Sequence, residues 1–466
     1  MPETKILLTE SQNRNKDSNK RKFIGRSTPA RILAIGFLLL ILLGGLLLCL
    51  PIASENGTGT PLIDSLFTST SAVCVTGLVV VDTADNYSSF GEIIILFLIQ
   101  IGGLGFMTFA TLFAIILGRK INLRERILLQ ESLNQLSLEG IVRLIKNVLL
   151  LSFSIEGFGA LILFLRWFQE MGWQKALYYA IFHSVSSFNN SGFDLFGGFR
   201  SLTSFSGDAV VNFTIMGLII LGGLGFYVLS EIYTKKGRNL SLHSRLVIRS
   251  TVLLILIGAI LIFLLEMNNP GTLGNADYYT KIIASLFQSV SPRTAGFNTL
   301  SIGDLKPATL LLIIILMFIG ASPGSTGGGI KTTTFVSIIL CVISVLKGRE
   351  NVVAQGRTLP NSIIRKSFAL IALAIFWVSL VVFILLITEH ATFMQIIFET
   401  VSAFATVGLS TGITASLSMM GKIALILTMF FGRVGLITVM LAIGLQSNKA
   451  EALSHVKYPE ERIMIG

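Results

Sequence analysis

Residues 71–78 read Ser-Ala-Val-Cys-Val-Thr-Gly-Leu, and the chain carries three further versions of this pattern. Every version ends in a glycine followed by an apolar residue, and the residues before that glycine are mostly small and uncharged. The leading serine lies six residues before the glycine in three versions and five in the remaining one. Internal repeats of this kind indicate that the chain is assembled from similar structural units. We call them the repeat segments: residues 71–78, 186–193, 291–297 and 402–409.

The composition indicates a membrane protein. Of 466 residues, 52% are hydrophobic and only 13% are charged, whereas soluble domains carry about a quarter charged residues. Several apolar runs reach the roughly 20 residues that a helix needs to cross a bilayer. The 44 glycines allow close helix contacts or irregular backbone that lines a cavity. The three cysteines, an odd number scattered through apolar sequence, predict neither a disulfide framework nor a metal site.

Each repeat segment lies inside a unit of the same order: an apolar span, a short segment, the repeat segment and a second span. A short segment of about 11 residues covers about 16 Å as a helix, half of the bilayer, so it must enter and return. We therefore expect an all-α polytopic membrane protein with eight transmembrane helices and four re-entrant pore helices around one pore. The predicted boundaries are a basic cytoplasmic tail at 1–31, pore units at 32–120, 121–238, 239–349 and 350–446, and a C-terminal tail at 447–466.

The second spans are predicted at residues 93–117, 209–233, 307–345 and 419–445. Most of the 36 lysines and arginines fall in the tails and in the linkers between units. This distribution predicts a multi-pass protein of the cell membrane with both termini in the cytoplasm. The net charge of +11 then reflects topology, and we do not expect nucleic-acid binding.

The repeat segments suit a filter for a monovalent cation. A helix that enters from outside points the negative end of its dipole at the membrane centre, and the carbonyls of the returning backbone can replace an ion's hydration shell. No repeat segment contains a carboxylate, which argues against a divalent ion. Glycines that merely allow tight packing are the alternative, but four copies in one context argue against it. The predicted filter residues are Val75, Thr76, Gly77, Asn190, Ser191, Gly192, Thr294, Ala295, Gly296, Thr406, Val407 and Gly408.

The second span of the third unit is predicted to be broken at residues 320–334. Five glycines and one proline in this stretch cannot continue a helix. A phosphate-binding loop is excluded because Ile330 separates the glycines from Lys331. We expect a flexible gate under the filter, with a static helix break as the alternative. The predicted gate residues are Gly320, Ser322, Gly324, Ser325, Thr326, Gly327, Gly328, Gly329, Lys331 and, from the fourth unit, Arg433.

Four short motifs resemble the Ktr/Trk/HKT superfamily of potassium transporters: 75–78, 190–193, 294–297 and 406–409. The resemblance covers the chain from residue 32 onward and is closest to Ktr-type membrane translocating subunits, since the polar residues 1–31 leave no room for the two extra spans of the Trk branch. It implies that one chain forms one pore and that the broken helix is the gate. It also implies that glycine at all four filter positions, Gly77 included, goes with potassium transport.

The resemblance further implies a homodimer of the pore chain, a cytosolic nucleotide-binding regulatory ring and a bacterial source. It places an arginine such as Arg433 below the filter as a barrier or gate contact, which we prefer to a structural pair with Glu156. Glu156 is expected to pack behind a filter, and Arg293 to brace the third repeat segment.

We expect K⁺ as the transported ion, membrane lipid as the surroundings and no covalent cofactor; whether Na⁺ acts as an activator is left open. A sodium-preferring or proton-coupled carrier is the alternative within transport. A membrane-embedded enzyme is disfavoured because no acids, histidines or nucleophiles cluster at one depth.

Overall fold

The computed structural model describes residues 29–108, 111, 121, 123–132 and 141–443. This part of the chain is mostly helical, as predicted, and adds one short antiparallel hairpin, β1 (Val353–Ala354) with β2 (Arg357–Thr358). The predicted tails at 1–31 and 447–466 lie outside it, apart from residues 29–31. The helices are α1 Pro29–Leu48, α2 Leu62–Cys74, α3 Thr83–Asn86, α4 Ser89–Leu104, α5 Leu123–Ser132, α6 Ile141–Met171, α7 Trp173–Phe188, α8 Ala209–Leu224, α9 Phe226–Lys235, α10 Leu242–Glu266, α11 Tyr278–Val290, α12 Pro307–Phe318, α13 Thr332–Leu346, α14 Asn361–Thr388, α15 Phe393–Phe404, α16 Met419–Val434 and α17 Leu436–Ile443.

The first span of each predicted unit is a long apolar helix: α1, α6, α10 and α14. By length and composition, these four helices of the described chain can cross a membrane, and α8 with α9 would make a fifth if the bent pair counts as one span. Their outer faces expose large apolar side chains such as Leu39, Ile257 and Phe376. An exposed apolar face of this extent suits contact with lipid.

The helices before the repeat segments are α2, α7, α11 and α15, with 12 to 16 residues each. At 1.5 Å per residue they span roughly 18–24 Å, which is less than the hydrocarbon thickness of about 30 Å. Their last turns are buried, apart from the partly buried Val185, and carry small polar side chains, among them Ser71, Ser186 and Ser402. The short segments predicted from sequence therefore lie inside the protein and end at the repeat segments.

The second helices are interrupted in every unit. The break in the third unit agrees with the prediction, since α12 ends at Phe318 and α13 begins at Thr332. The prediction of continuous second spans in units 2 and 4 is wrong: α8 and α9 are bent by 98°, and α16 is separated from α17. Helix α4 ends at Leu104 and residues 106–108 are helical again, while most of the predicted span from there to residue 117 lies outside the described residues. The cause is a glycine with positive φ at the same place, Gly105 (82°), Gly225 (97°) and Gly435 (91°), a conformation that ends a helix.

An ion pair joins the first unit to the fourth. Lys422 Nζ in α16 lies 2.6 Å from Asp64 Oδ1 in the first turn of α2, with both side chains about 15% exposed. Because the pair is largely shielded from water, removing one partner leaves a poorly solvated charge.

We predict that Lys422→Met lowers the free energy of unfolding by roughly 2 kcal/mol, seen as a lower melting temperature of the purified protein in detergent. The double variant Asp64→Asn/Lys422→Met should recover much of the loss, since neither charge is then left alone. Glu170→Gln, which removes a more exposed partner of Arg166, serves as the control and should change the melting temperature little. Equal losses in the single and double variants would contradict the prediction.

Candidate functional site

The four repeat-segment glycines form a closed ring. A β-carbon built on Gly77 would lie 3.1 Å from Gly192 Cα, and one built on Gly192 would lie 2.9 Å from Gly296 Cα. One built on Gly296 would lie 3.3 Å from Gly408 Cα, and one on Gly408 would lie 3.0 Å from Gly77 Cα. The contacts therefore run from unit 1 through units 2, 3 and 4 and back to unit 1.

Carbonyl oxygens stand between the glycines of this ring. The built β-carbons would meet the carbonyl of the residue before the next glycine, with a separation of 2.8 Å at Ala295 O and overlap at the other three positions. A side chain at any ring position would therefore displace a carbonyl of the next unit. Those carbonyls belong to Thr76, Ser191, Ala295 and Val407.

The backbone of all four repeat segments is left-handed at two places. One is the ring glycine, with φ between 73° and 93°. The other is a non-glycine residue two positions earlier, where left-handed angles are strained and tend to mark functional sites. These residues are Val75 (57°), Asn190 (59°), Thr294 (74°) and Thr406 (50°). The recurrence in four different sequences indicates that the tertiary arrangement imposes this conformation.

The leading serine of each repeat segment holds the returning strand. Gly77 N donates to Ser71 Oγ at 3.0 Å, and Gly408 N donates to Ser402 Oγ at 3.1 Å. In units 2 and 3 the serine donates instead to the carbonyl after the ring glycine, Phe193 O at 2.7 Å and Phe297 O. From the sequence these serines are predicted only as markers of the repeats. Their spacing of five or six residues from the ring glycine is the sequence signal for the anchoring role.

Two cavities flank the repeat segments. The first, of about 630 Å³, is lined by all four ring glycines and by residues that follow them, including Asp82 and Asp194. The second, of about 400 Å³, is lined by residues of the broken helix and by Arg433, Lys331 and Lys366. Among the described residues none lines both cavities. The second cavity has three basic lining side chains and no acidic one in this part of the chain.

The loop between α12 and α13, residues 319–331, packs against the third and fourth repeat segments. A β-carbon on Gly327 would overlap the Thr294 side chain, one on Gly328 would overlap Thr406, and one on Gly329 would lie 3.2 Å from Ala405 Cα. The predicted gate residues Gly327 to Gly329 are thus brought directly to the predicted filter residues Thr294 and Thr406.

Backbone hydrogen bonds attach the loop to unit 2. Ser322 N donates to Gly223 O at 3.1 Å, and Phe226 N donates to Gly324 O at 2.8 Å. Gly223 O and Phe226 N–H are available for these bonds because the break between α8 and α9 removes the partners that they would have within a continuous helix. Within the loop, Lys331 Nζ donates to Gly327 O at 2.7 Å. Local bonds also join Ser325 Oγ to Ser322 O and Thr332 Oγ1 to Ser322 Oγ, and Gly320 packs against Gly328.

Arg433 joins this loop to unit 1. Its guanidinium donates to the carbonyls of Thr326, Gly102 and Gly103, the last at 3.0 Å. The alternative pair with Glu156 is not formed, because that carboxylate accepts from Gln100 Nε2 at 3.0 Å and Asn189 Nδ2 at 3.1 Å. Glu156 thus lies behind the second repeat segment.

The bracing role expected of Arg293 stays a prediction. Its side chain is buried, but Nη1 has no hydrogen-bond partner among the described residues. Its backbone N–H donates to Val290 O at 3.1 Å, which continues the turn of α11.

Known sequences match this chain over nearly its whole length. Residues 6–452 match the model of the TrkH family, described as cation transport proteins. The chain is 46% identical to Ktr system potassium uptake protein B of Bacillus subtilis, covering 95% of this chain and 97% of the relative. It is 40% identical to the Vibrio alginolyticus protein of the same name, over 94% of each chain. It is also 40% identical to the potassium/sodium uptake protein NtpJ of Enterococcus hirae, over 96% of this chain and 99% of the relative.

A solved structure has the same fold. The potassium transporter TrkH of Vibrio parahaemolyticus superposes with a TM-score of 0.69, covering 88% of this chain and 85% of that one at 19% sequence identity. At this identity the likeness concerns the fold alone.

Proposed function

The chain belongs to the TrkH family of cation transport proteins, as the repeat segments predicted, and we propose that it takes up potassium ions across the cell membrane. Relatives named as potassium uptake proteins match over nearly the full length of both chains, which supports this proposal. In the proposal, the four pore units surround one pore, and the backbone carbonyls of the repeat segments form its filter.

The observation that carries the proposal is the closed ring of Gly77, Gly192, Gly296 and Gly408 with carbonyl oxygens between them. Carbonyl oxygens around an axis can replace the water shell of a potassium ion. The absence of a carboxylate from the repeat segments favours a monovalent over a divalent ion.

The loop at residues 319–331, with Arg433, is the proposed gate. Its contacts with Thr294 and Thr406 support a position directly under the filter. Lys331 and Arg433 line the cavity on that side, and two cations in a poorly hydrated passage would repel a third. Opening then requires the loop to leave the bonds that it makes with unit 2 and with Arg433 of unit 4.

Regulation belongs to the proposal as well. Relatives named as components of a Ktr system support a membrane subunit that works with a regulatory partner. We expect that partner to be a cytosolic nucleotide-binding ring, the pore chain to be a homodimer and both termini to face the cytoplasm. Sodium is the proposed activator.

A sodium-preferring carrier is the second candidate, because one relative at 40% identity is named a potassium/sodium uptake protein. Potassium-starved cells without uptake systems of their own separate the two. Expression of the chain should restore growth at low external potassium and drive uptake of radioactive rubidium, with a larger flux when external sodium is present. Sodium uptake without rubidium flux would contradict the proposal and favour the second candidate.

A further inference from the structure

One position on the helices before the repeat segments carries a buried polar side chain in all four units. It lies three residues before the leading serine and is occupied by Thr68, His183, Gln288 and Glu399, each fully buried. A buried polar group is unfavourable unless it is hydrogen-bonded, so its partners indicate its role.

His183 bonds to the strand that leaves the second repeat segment. Its Nδ1 donates to Tyr179 O at 2.7 Å, one turn back in α7, and this leaves Nε2 as an acceptor for Leu195 N–H at 3.4 Å. The rings of Trp167 and Phe196 pack around the imidazole, with centroids 5.4 and 4.6 Å away. The imidazole is thereby fixed in orientation.

Glu399 does the same in the fourth unit. One carboxylate oxygen accepts from Thr411 N at 3.1 Å and from Ser410 Oγ, and the other accepts from Thr414 Oγ1 at 3.1 Å. The carboxylate therefore binds three residues that follow the ring glycine of this unit, Ser410, Thr411 and Thr414.

The backbone N–H groups that bind His183 and Glu399 come from equivalent positions of their units. Leu195 and Thr411 each lie three residues after the ring glycine of their unit, Gly192 or Gly408. In the described residues no hydrogen bond joins Thr68 to Val80 or Gln288 to Thr299, the equivalent pairs of units 1 and 3. Both side-chain amide atoms of Gln288 are without a partner in this part of the chain.

We propose that His183 and Glu399 are positioning residues that clamp the outgoing strands of units 2 and 4 and thereby set the ion selectivity of the ring. Because contacts run in the order 1, 2, 3, 4, these units lie on opposite sides of the ring. The ring is then held at two opposite points, while units 1 and 3 have more freedom. This inference rests on the proposed filter function, since it concerns where the ring carbonyls stand.

The test measures rubidium and sodium flux into proteoliposomes that contain the full chain, together with the melting temperature of each variant. Glu399→Asp keeps the charge but withdraws the carboxylate from Thr411, whereas Glu399→Gln loses the charge but keeps an acceptor at the same reach. We expect Glu399→Asp and His183→Leu to lower the rubidium-to-sodium ratio by roughly tenfold, and Glu399→Gln to stay near wild type. The reverse ranking of Asp and Gln would overturn the clamp in favour of an electrostatic role.

Glu389→Ala is the matched control. Glu389 is also a carboxylate that accepts from one backbone N–H and one hydroxyl, both of Ser418, but Ser418 is the N-cap of α16 and neither residue lines the cavity that the four ring glycines line. This variant should lose thermal stability with an unchanged flux ratio. If Glu399→Asp and His183→Leu behave like Glu389→Ala, the clamp is overturned while the transport proposal stands; wild-type protein without rubidium flux would overturn both.

Discussion

Gly77→Ser and Gly408→Ser each lower the ratio of potassium to sodium uptake by roughly tenfold or more. At both positions a β-carbon would overlap a carbonyl oxygen of a neighbouring unit, Ser191 O for Gly77 and Thr76 O for Gly408. The φ values of 87° and 93° add strain for any side chain. The carbonyl oxygens must therefore move apart. In the wider ring they no longer replace the water shell of K⁺, so the preference for K⁺ over Na⁺ is lost. Competitive uptake of rubidium and sodium in proteoliposomes measures the effect.

Gly57→Ser is the matched control for this prediction. Gly57 has a similar φ of 66°, but nothing lies within 4 Å of a β-carbon built there. This variant therefore carries the backbone strain without the collision and should keep the wild-type ratio. Wild-type ratios in both ring variants would count against the filter assignment.

Deletion of residues 324–329 raises the maximal rate of potassium uptake, by roughly threefold or more if opening of the loop limits the rate. The deleted residues include those that pack against Thr294 and Thr406 and the Thr326 carbonyl that Arg433 contacts. Ile319 and Ile330, on the two sides of the deleted residues, already form an isolated parallel bridge, so the two sides of the shortened loop lie close together. Initial rates of rubidium uptake at saturating concentration provide the measurement.

Ser325→Ala is the control within the same loop. Within the part of the chain that the structure describes, the Ser325 hydroxyl bonds only to Ser322 O, at 2.7 Å, so its removal should leave the rate near wild type. An equal or lower rate in a folded deletion variant would support the alternative of a static helix break.

The periodic features of the chain were readable in advance because each is encoded locally. The length of a short apolar run predicts a helix that crosses only about half of the bilayer. A glycine at a similar distance from a serine in each repeat segment predicts a turn of the same shape. The interruption at Gly320–Gly329 was visible for the same reason, since several glycines and a proline cannot continue a helix. The breaks at Gly225 and Gly435 were missed because a single glycine inside an apolar run is compatible with a continuous helix; its φ depends on what packs against it.

By itself the sequence determined the position of the four repeat segments and the family to which the chain belongs. Only the tertiary structure decided that Gly77 meets Gly192 and Gly408, that Arg433 bonds to Thr326 and Gly102 and not to Glu156, and that His183 and Glu399 hold opposite strands. The physical reason is that the glycine and Arg433 contacts join residues from different units, far apart in the chain, whereas the bonds of His183 to Leu195 and of Glu399 to Thr411 span 12 residues across irregular backbone. Their formation depends on how four similar units pack together, which local propensity and spacing do not specify.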